Sequence, residues 1–371
     1  MAVPLFDTAT PLAPLHDELL SAVTRVVDSG RFILGPEVQS FERELADYLG
    51  CREAIGVGNG TDAITIALRA LGVGPGDEVV VPSFTFYASA EAIPPTGARP
   101  VFCDIDPETY CVTPETVKAV LTPRTKAVIA VHLFGNVAPV AEIEALGVPV
   151  LEDAAQALGT RSQAGRPGAL GTIATFSFFP SKNLGGFGDG GAVTTSDPEL
   201  ATRVRSLRFH GSRDKQTFDE IGYNSRLDAL QAAVLRVQLP HLDGWADGRR
   251  AAAAHYEQAG LGELVSLPQS TPGSEPAWHL YVVQTPDPDA LAAALTAQEI
   301  EARVYYRVPT HEQPGMRPYA PSSPLPGTEH AAQTHLALPI SPVLSSAQAH
   351  EVVTAARQHL GSGHAAASAA G

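Results

Sequence analysis

FSFFPSKNLGGFGDGG, residues 176–191, decides how this chain is read. Phe176 to Phe179 ends an apolar stretch, Ile173 to Phe179, with the length and composition of a buried strand. Pro180 and Ser181 stop it, and Lys182 follows at once. Lysine is seldom placed in apolar surroundings without a role. Desolvation lowers an amine's pKa and frees it as a nucleophile for Schiff-base chemistry. A solvated surface lysine at the end of a strand is the competing reading. Glycines then crowd Gly185 to Gly191, and Gly191-Ala192-Val193-Thr194-Thr195 reads as a returning strand, so a hairpin is expected.

Upstream lies a series of strand–helix units. Ala54 to Val57, Glu78 to Pro82, Pro100 to Phe102, Lys126 to His132 and Pro149 to Leu151 are short apolar runs. Buried strands alternating with helices such as Ala63 to Leu71 predict a mainly parallel sheet covered on both faces. Between the first strand and its helix stands Gly58-Asn59-Gly60-Thr61-Asp62. A glycine turn at a helix start exposes N–H groups and the positive end of the helix dipole, which suits a phosphate. The plainer reading is a tight turn with Thr61 or Asp62 as N-cap. The spacing is not the GxGxxG of dinucleotide sites. Glu152 and Asp153 close another strand at the edge where open α/β sheets bind ligands. A carboxylate there needs a cation or several donors, and an N-cap role for Asp153 stays open.

Residues 12 to 49 carry two helical stripes separated by the turn-rich Ser29 to Pro36, and Leu227 to Leu239 has a helical period. Beyond it we expect a second unit, from near Trp245. Its elements are helix Arg249–Gln258, strand His279–Gln284, helix Asp289–Ala297, strand Ala302–Tyr306 and helix Ser345–Leu360. The predicted division is a large domain over 1–240, a smaller α/β domain over 241–360 and a disordered tail over 361–371.

Composition narrows the function. With 25 basic and 40 acidic residues the formal charge is −15, which repels phosphate backbones and anionic lipid and argues against nucleic-acid or membrane partners. Cys51, Cys103 and Cys111 show no disulfide or zinc spacing, so no metal site is expected. No apolar run nears the roughly 20 residues of a membrane span, and MAVPLFDTATP lacks a signal-peptide pattern. A cytoplasmic enzyme fits these features.

The order glycine turn, strand-end Asp, then Lys after an aromatic strand is that of pyridoxal-phosphate (PLP) enzymes with the aspartate-aminotransferase fold. Seven separated motifs go further: Asp77 to Pro82, Thr122 to Ala127, Val131 to Gly135, Glu152 to Gln156 (EDAAQ), Phe176 to Gly191, Leu207 to Ser212 and Asn224 to Gln231 (NSRLDALQ). In order and spacing they resemble the DegT/DnrJ/EryC1/StrS sugar aminotransferases, from about Asp28 to Leu360.

The resemblance implies a fold-type I transferase: a large domain with a mainly parallel, seven-stranded sheet and a smaller α/β C-terminal domain. It implies PLP as cofactor and Lys182 as the lysine that bonds it and then carries protons. Asp153 would face the pyridine nitrogen, keeping the ring an electron sink. Gln156 would bond the ring hydroxyl, and Phe86 would stack on the ring. Gly60, Thr61, Asp62 and Ser177 would hold the phosphate, joined by Asn224 from the neighbouring subunit, which makes a homodimer with shared active sites. Phe32, Arg213, Lys215, Tyr305 and His311 fall in segments that border the substrate in the family. Arg213 and Lys215 would meet a diphosphate, with loop charges as the alternative, and His311 reads better as structural than catalytic.

The implied reaction moves an amino group from L-glutamate to a keto group of a dTDP- or UDP-linked deoxy-sugar, at C3 by the look of PSKNLGGFGDGG, in a ping-pong cycle for amino-sugar biosynthesis. C4 amination is the nearest alternative, followed by inosose amination and by a regulatory homologue without activity. Family members that dehydrate carry His in place of the lysine, so Lys182 weighs against that class. The missing GxGxxG weighs against a nicotinamide oxidoreductase.

Overall fold

The computed structural model describes residues 2–369, with side chains described from Ala2 to Gly361. Its centre is a seven-stranded sheet. The strands are β1 (Glu53–Val57), β2 (Glu78–Pro82), β3 (Arg99–Cys103), β4 (Thr125–Val131), β5 (Val150–Asp153), β7 (Ile173–Ser177) and β8 (Gly191–Thr195); β6 is the two-residue Arg161–Ser162. Their order across the sheet is β1-β8-β7-β5-β4-β2-β3. β8 runs antiparallel to both neighbours, so the other six strands point one way. The expected hairpin is the β7–β8 pair, with Ser177 opposite Gly191.

These strands are apolar on both faces because helices cover both. Val79, Val80, Val81, Val128, Ile129, Ala130 and Leu151 are fully enclosed. Helices α1 (His16–Ser29) and α2 (Pro36–Leu49) pack on α8 (Ala229–Gln238) outside one face. Gly30, at the predicted break between α1 and α2, has φ +63° and ends α1 in the left-handed conformation that favours glycine. α3 (Gly60–Ala70) lies against β7 and β8, and α7 (Pro198–Leu207) against β1 and β8. The short α4 (Ala88–Glu91), α5 (Pro114–Lys118) and α6 (Val140–Glu144) complete this part of the chain.

A second buried cluster gathers α9 (Leu242–Gln258), β10 (Tyr281–Gln284), α10 (Pro288–Thr296), β11 (His335–Leu338) and α12 (Ser346–Ala369). β9 is Ser274–Glu275, paired with β6, and α11 is Pro326–Thr334. Val3 also belongs to this cluster, bridging Ile300 in parallel, so the N-terminal arm docks on the C-terminal elements.

Three expectations about elements need correction. Ala302 to Tyr306 is not a strand: only Arg303 bridges, to Ala337, while β11 takes the place beside β10. Its apolar residues serve packing instead, Ala302 and Val304 against the second cluster and Tyr305 and Tyr306 against the first. The helix expected over Arg249–Gln258 begins earlier, at Leu242, so Trp245 lies inside α9. The closing helix continues past Leu360 into the stretch expected to be a tail; the side chains of 362–371, and residues 370 and 371 altogether, lie outside what is described.

Candidate active site

The residues singled out in the sequence converge where β5 and β7 end and α3 begins. A cleft of about 670 Å³ is lined by Gly60, Thr61, Asp62, Phe86, Asp153, Gln156, Ser177, Lys182 and Tyr305, all of them expected, and also by Asn59, Ser181, His279 and Tyr306. The C-terminal edge of a parallel sheet collects them because each strand there hands over to a loop.

The turn after β1 is capped by Asn59, not by Thr61 or Asp62. Asn59 is extended, and its Oδ1 accepts the Asp62 N–H at 2.8 Å. Ala63 N–H bonds the Asn59 carbonyl. Among the described residues no acceptor meets the N–H of Gly60 or Thr61, so these two donors face the cleft at the positive end of α3. Asp62's carboxylate accepts from Ser225 Oγ at 2.6 Å, and that same hydroxyl takes the Gly58 N–H at 2.9 Å. Asp62 is therefore a strut of the turn. Gly60 is required by space: a Cβ there would lie 2.8 Å from Ser177 Cβ. A side chain at Gly191 would run into the Asn59 carbonyl, which explains the last glycine of the motif.

Lys182 rises from the glycine-rich loop behind β7. Burial pushes its amine down from the ordinary 10.5 to about 8, and the Asp153 carboxylate pulls it part of the way back. Near neutrality a useful fraction of Lys182 is the free base. His279, buried in the cleft wall, is held well below its ordinary range, by burial first and then by Lys182 and Arg249.

Asp153 is 7% exposed. Its Oδ2 accepts from Ser89 Oγ at 2.7 Å and its Oδ1 from Ala155 N–H at 3.2 Å. Glu152 points the other way and accepts the N–H groups of Gly168, Leu170 and Gly171, each at 2.8 Å, and His132 Nε2 at 2.8 Å. The His132 proton sits on Nε2, because Nδ1 takes the Ala138 N–H at 3.0 Å. Gln156 is also held on both sides: its Oε1 accepts Phe134 N–H at 2.7 Å and its Nε2 donates to Tyr306 OH at 3.1 Å. One amide hydrogen remains. The Tyr306 ring lies 6.0 Å from that of Phe86, which is half exposed over the cleft.

The remaining expected residues lie elsewhere in the chain. Arg213 and Lys215 line a separate cavity of about 530 Å³ with Arg205 and Arg208. Lys215 stands over the Phe209 ring at 5.1 Å. Phe32 is exposed outside the cleft wall. His311 Nδ1 meets Ser83 Oγ at 2.5 Å behind the cleft, and burial lowers its pKa. Asn224 is exposed and does not cap the following helix, since Asp228 precedes its first residue.

Sequence reasoning passed over Asn59, Ser89, His279 and Tyr306. The Gly-Asn-Gly pattern could have marked Asn59 as a cap; the others act through contacts between distant segments.

The chain is similar to known proteins over nearly its whole length. The chain is 45% identical to a Geobacillus stearothermophilus pleiotropic regulatory protein, over 95% of this chain and 97% of that one. It is 46% identical, over 96% of each, to the dTDP-3-amino-3,4,6-trideoxy-alpha-D-glucose transaminase of Streptomyces venezuelae. It is 43% identical to the UDP-N-acetyl-3-dehydro-alpha-D-glucosamine 3-aminotransferase of Acidithiobacillus ferrooxidans, over 97% and 98%. The crystal structure of S. venezuelae DesV in complex with a ketimine intermediate superposes with a TM-score of 0.93 at 45% identity, covering 96% of this chain and 98% of that one. Residues 14–357 match the family model, and the chain belongs to the DegT/DnrJ/EryC1/StrS aminotransferase family.

Proposed function

We propose that this protein is a PLP-dependent aminotransferase that moves an amino group from L-glutamate to the C3 keto group of a dTDP- or UDP-linked sugar. The transaminases of known substrate named above aminate C3 of such sugars, which supports that carbon over C4. The observation that carries the reading is the cleft itself. A desolvated lysine, a cleft-facing carboxylate and two unpaired helix-start N–H groups share one cavity.

These groups fit PLP by the chemistry of their donors. Gly60 and Thr61 N–H with the Ser177 hydroxyl would take the phosphate. Asp153 would accept from the ring nitrogen, Phe86 would cover the ring, and the spare amide hydrogen of Gln156 would meet the ring oxygen. When bound, PLP supplies the electron sink and the carbonyl carbon through which the amino group passes. Lys182 would hold the cofactor at that carbon until an incoming amine displaces it. The lysine amine so released would then take and return the substrate proton, helped by a pKa that burial lowers to about 8. Tyr305 would border the sugar nucleotide from the cleft wall. Arg213 and Lys215, which line a separate cavity, would meet the diphosphate only from a neighbouring subunit, and Phe32 and His311 lie outside the cleft of their own chain.

The rest of the proposal is organisational. Asn224, exposed and not a cap, would reach the phosphate of the neighbouring subunit in a homodimer. The chain would divide near residue 240 into a large and a small domain, supported by the second buried cluster, whose members apart from Val3 lie between 252 and 356, while the first cluster also draws on Leu280, Val282 and Met316. A cytoplasmic setting is supported by three unpaired cysteines. No helix among the described residues is long and apolar enough to cross a membrane. The Geobacillus relative favours a second reading, a regulatory protein.

The test is PLP-loaded protein with glutamate and a panel of nucleotide-linked 3-keto and 4-keto sugars, with products followed by mass spectrometry and NMR. A 3-amino sugar with stoichiometric 2-oxoglutarate is expected. A 4-amino product would move the site of amination, and no turnover on any sugar would favour the regulatory reading.

A further inference from the structure

Ser89 has no part in the chemistry above, yet it is 1% exposed and its hydroxyl is spent on Asp153. It sits in α4, far along the chain from β5. A carboxylate can only accept, so Ser89 Oγ donates to Asp153 Oδ2, at 2.7 Å. Thr85 Oγ1 lies 3.1 Å from Ser89 Oγ. With the serine hydrogen already committed, the Thr85 hydroxyl donates to Ser89. The direction of the relay is therefore set: Thr85 to Ser89 to Asp153. Thr85 is anchored in turn, its carbonyl accepting from Thr310 Oγ1 at 3.2 Å, and Thr310 N–H bonds the Ser83 carbonyl at 2.9 Å.

The torsion about a carboxylate's Cβ–Cγ bond is broad and does not orient itself. At Asp153 the other protein donor is the longer Ala155 N–H bond to Oδ1. We propose that Ser89 is a positioning residue that fixes the rotation of the Asp153 carboxylate, so that one oxygen is presented to the cofactor's ring nitrogen. This rests on the PLP reading. Ser89 does not line the cleft and would act through Asp153, while Thr85 lines the cleft as well as bonding Ser89, so its share of the relay is the part read at the same pH midpoint as Ser89.

The test uses the PLP-loaded protein and three substitutions, Ser89→Ala, Ser89→Thr and Thr85→Val. Three quantities are read: the PLP dissociation constant, the pH midpoint of the visible absorbance of Lys182-bound cofactor, and kcat against KM for glutamate. Ser89→Ala should weaken PLP about tenfold, move the midpoint by roughly half a pH unit and lower kcat about tenfold with KM little changed. Ser89→Thr, which keeps the hydroxyl, should restore most of each, and Thr85→Val should show a smaller shift in the same direction. A purely structural serine would change Tm while leaving midpoint and PLP affinity at wild-type values, and that result overturns the proposal. Should Ser89→Ala not fold, an unmoved midpoint in Thr85→Val does the same. Wild-type protein that develops no visible band with PLP would overturn the PLP reading itself, and this inference with it.

Discussion

Glu152 and Asp153 are neighbours on one strand whose side chains alternate, so the two carboxylates face opposite sides of the sheet. On the Glu152 side, three backbone N–H groups and His132 converge on a fully buried carboxylate. On the Asp153 side two protein donors are present, and the residue opens onto the cleft. A saturated carboxylate ties the loop before β7 to the sheet and has nothing left to offer. One with spare acceptor capacity at a cavity wall can recognise a ligand. The same side-chain chemistry thus divides into scaffold and site according to the donors that surround it.

The contrast breaks most sharply under amide substitution. Asp153→Asn is expected to fold with near-wild-type stability while kcat falls on the order of a thousandfold, about 4 kcal/mol of transition-state stabilisation. Glu152→Gln should do the reverse: stability should drop by roughly 3 kcal/mol, because an amide cannot replace a carboxylate among four donors. The folded fraction should still bind PLP. Denaturant unfolding and single-turnover absorbance, measured on both variants, separate the two outcomes. Equal losses of activity from equally stable proteins would erase the distinction.

At the phosphate end, Gly60→Ala forces a methyl against Ser177 and should weaken PLP about tenfold, read by equilibrium titration, with a lowered unfolding midpoint because Ser177 must shift. Unchanged affinity would mean that the turn does not hold the phosphate. The lysine sharpens the contrast through pH. A depressed amine pKa means that the rate of PLP attachment to the apo protein should rise with pH up to about 8 and then level off, where an ordinary lysine would still be climbing. Stopped-flow absorbance between pH 6 and pH 10 gives the profile; a rise that continues to pH 10 would place Lys182 in water.

The smallest expected effect concerns the neighbouring subunit. Mixing Lys182→Ala with Asn224→Ala chains at limiting PLP should return about half of a wild-type dimer's activity per heterodimer, since one site then carries both defects and the other neither. Activity at the average of the two parents would confine Asn224 to its own chain.

How much of this was legible beforehand follows the range of the interactions. β2 and β8 have their predicted bounds, and β1, β4 and β7 lie within two residues of theirs, because apolar runs between glycines and prolines are local signals. Lys182, Asp153 and the Gly60 turn are legible for the same reason: each stands at a strand end. Ser89 and Tyr306 are not, since their partners lie 64 and 150 residues away. The Ala302 to Tyr306 segment misled because its aromatic residues serve the cleft and first core, not a sheet face. Arg213 and Lys215 have the charge for a diphosphate but line a different cavity of the chain.

The most direct measurement exploits the scarcity of lysine: the chain has four, Lys118, Lys126, Lys182 and Lys215. PLP-loaded protein is reduced with borohydride, digested and mapped by mass spectrometry, with Lys182→Ala treated in parallel. The account requires the pyridoxyl mass on the Lys182 peptide and its disappearance in the variant. The label on Lys118, Lys126 or Lys215, with Lys182 unmodified, would contradict it.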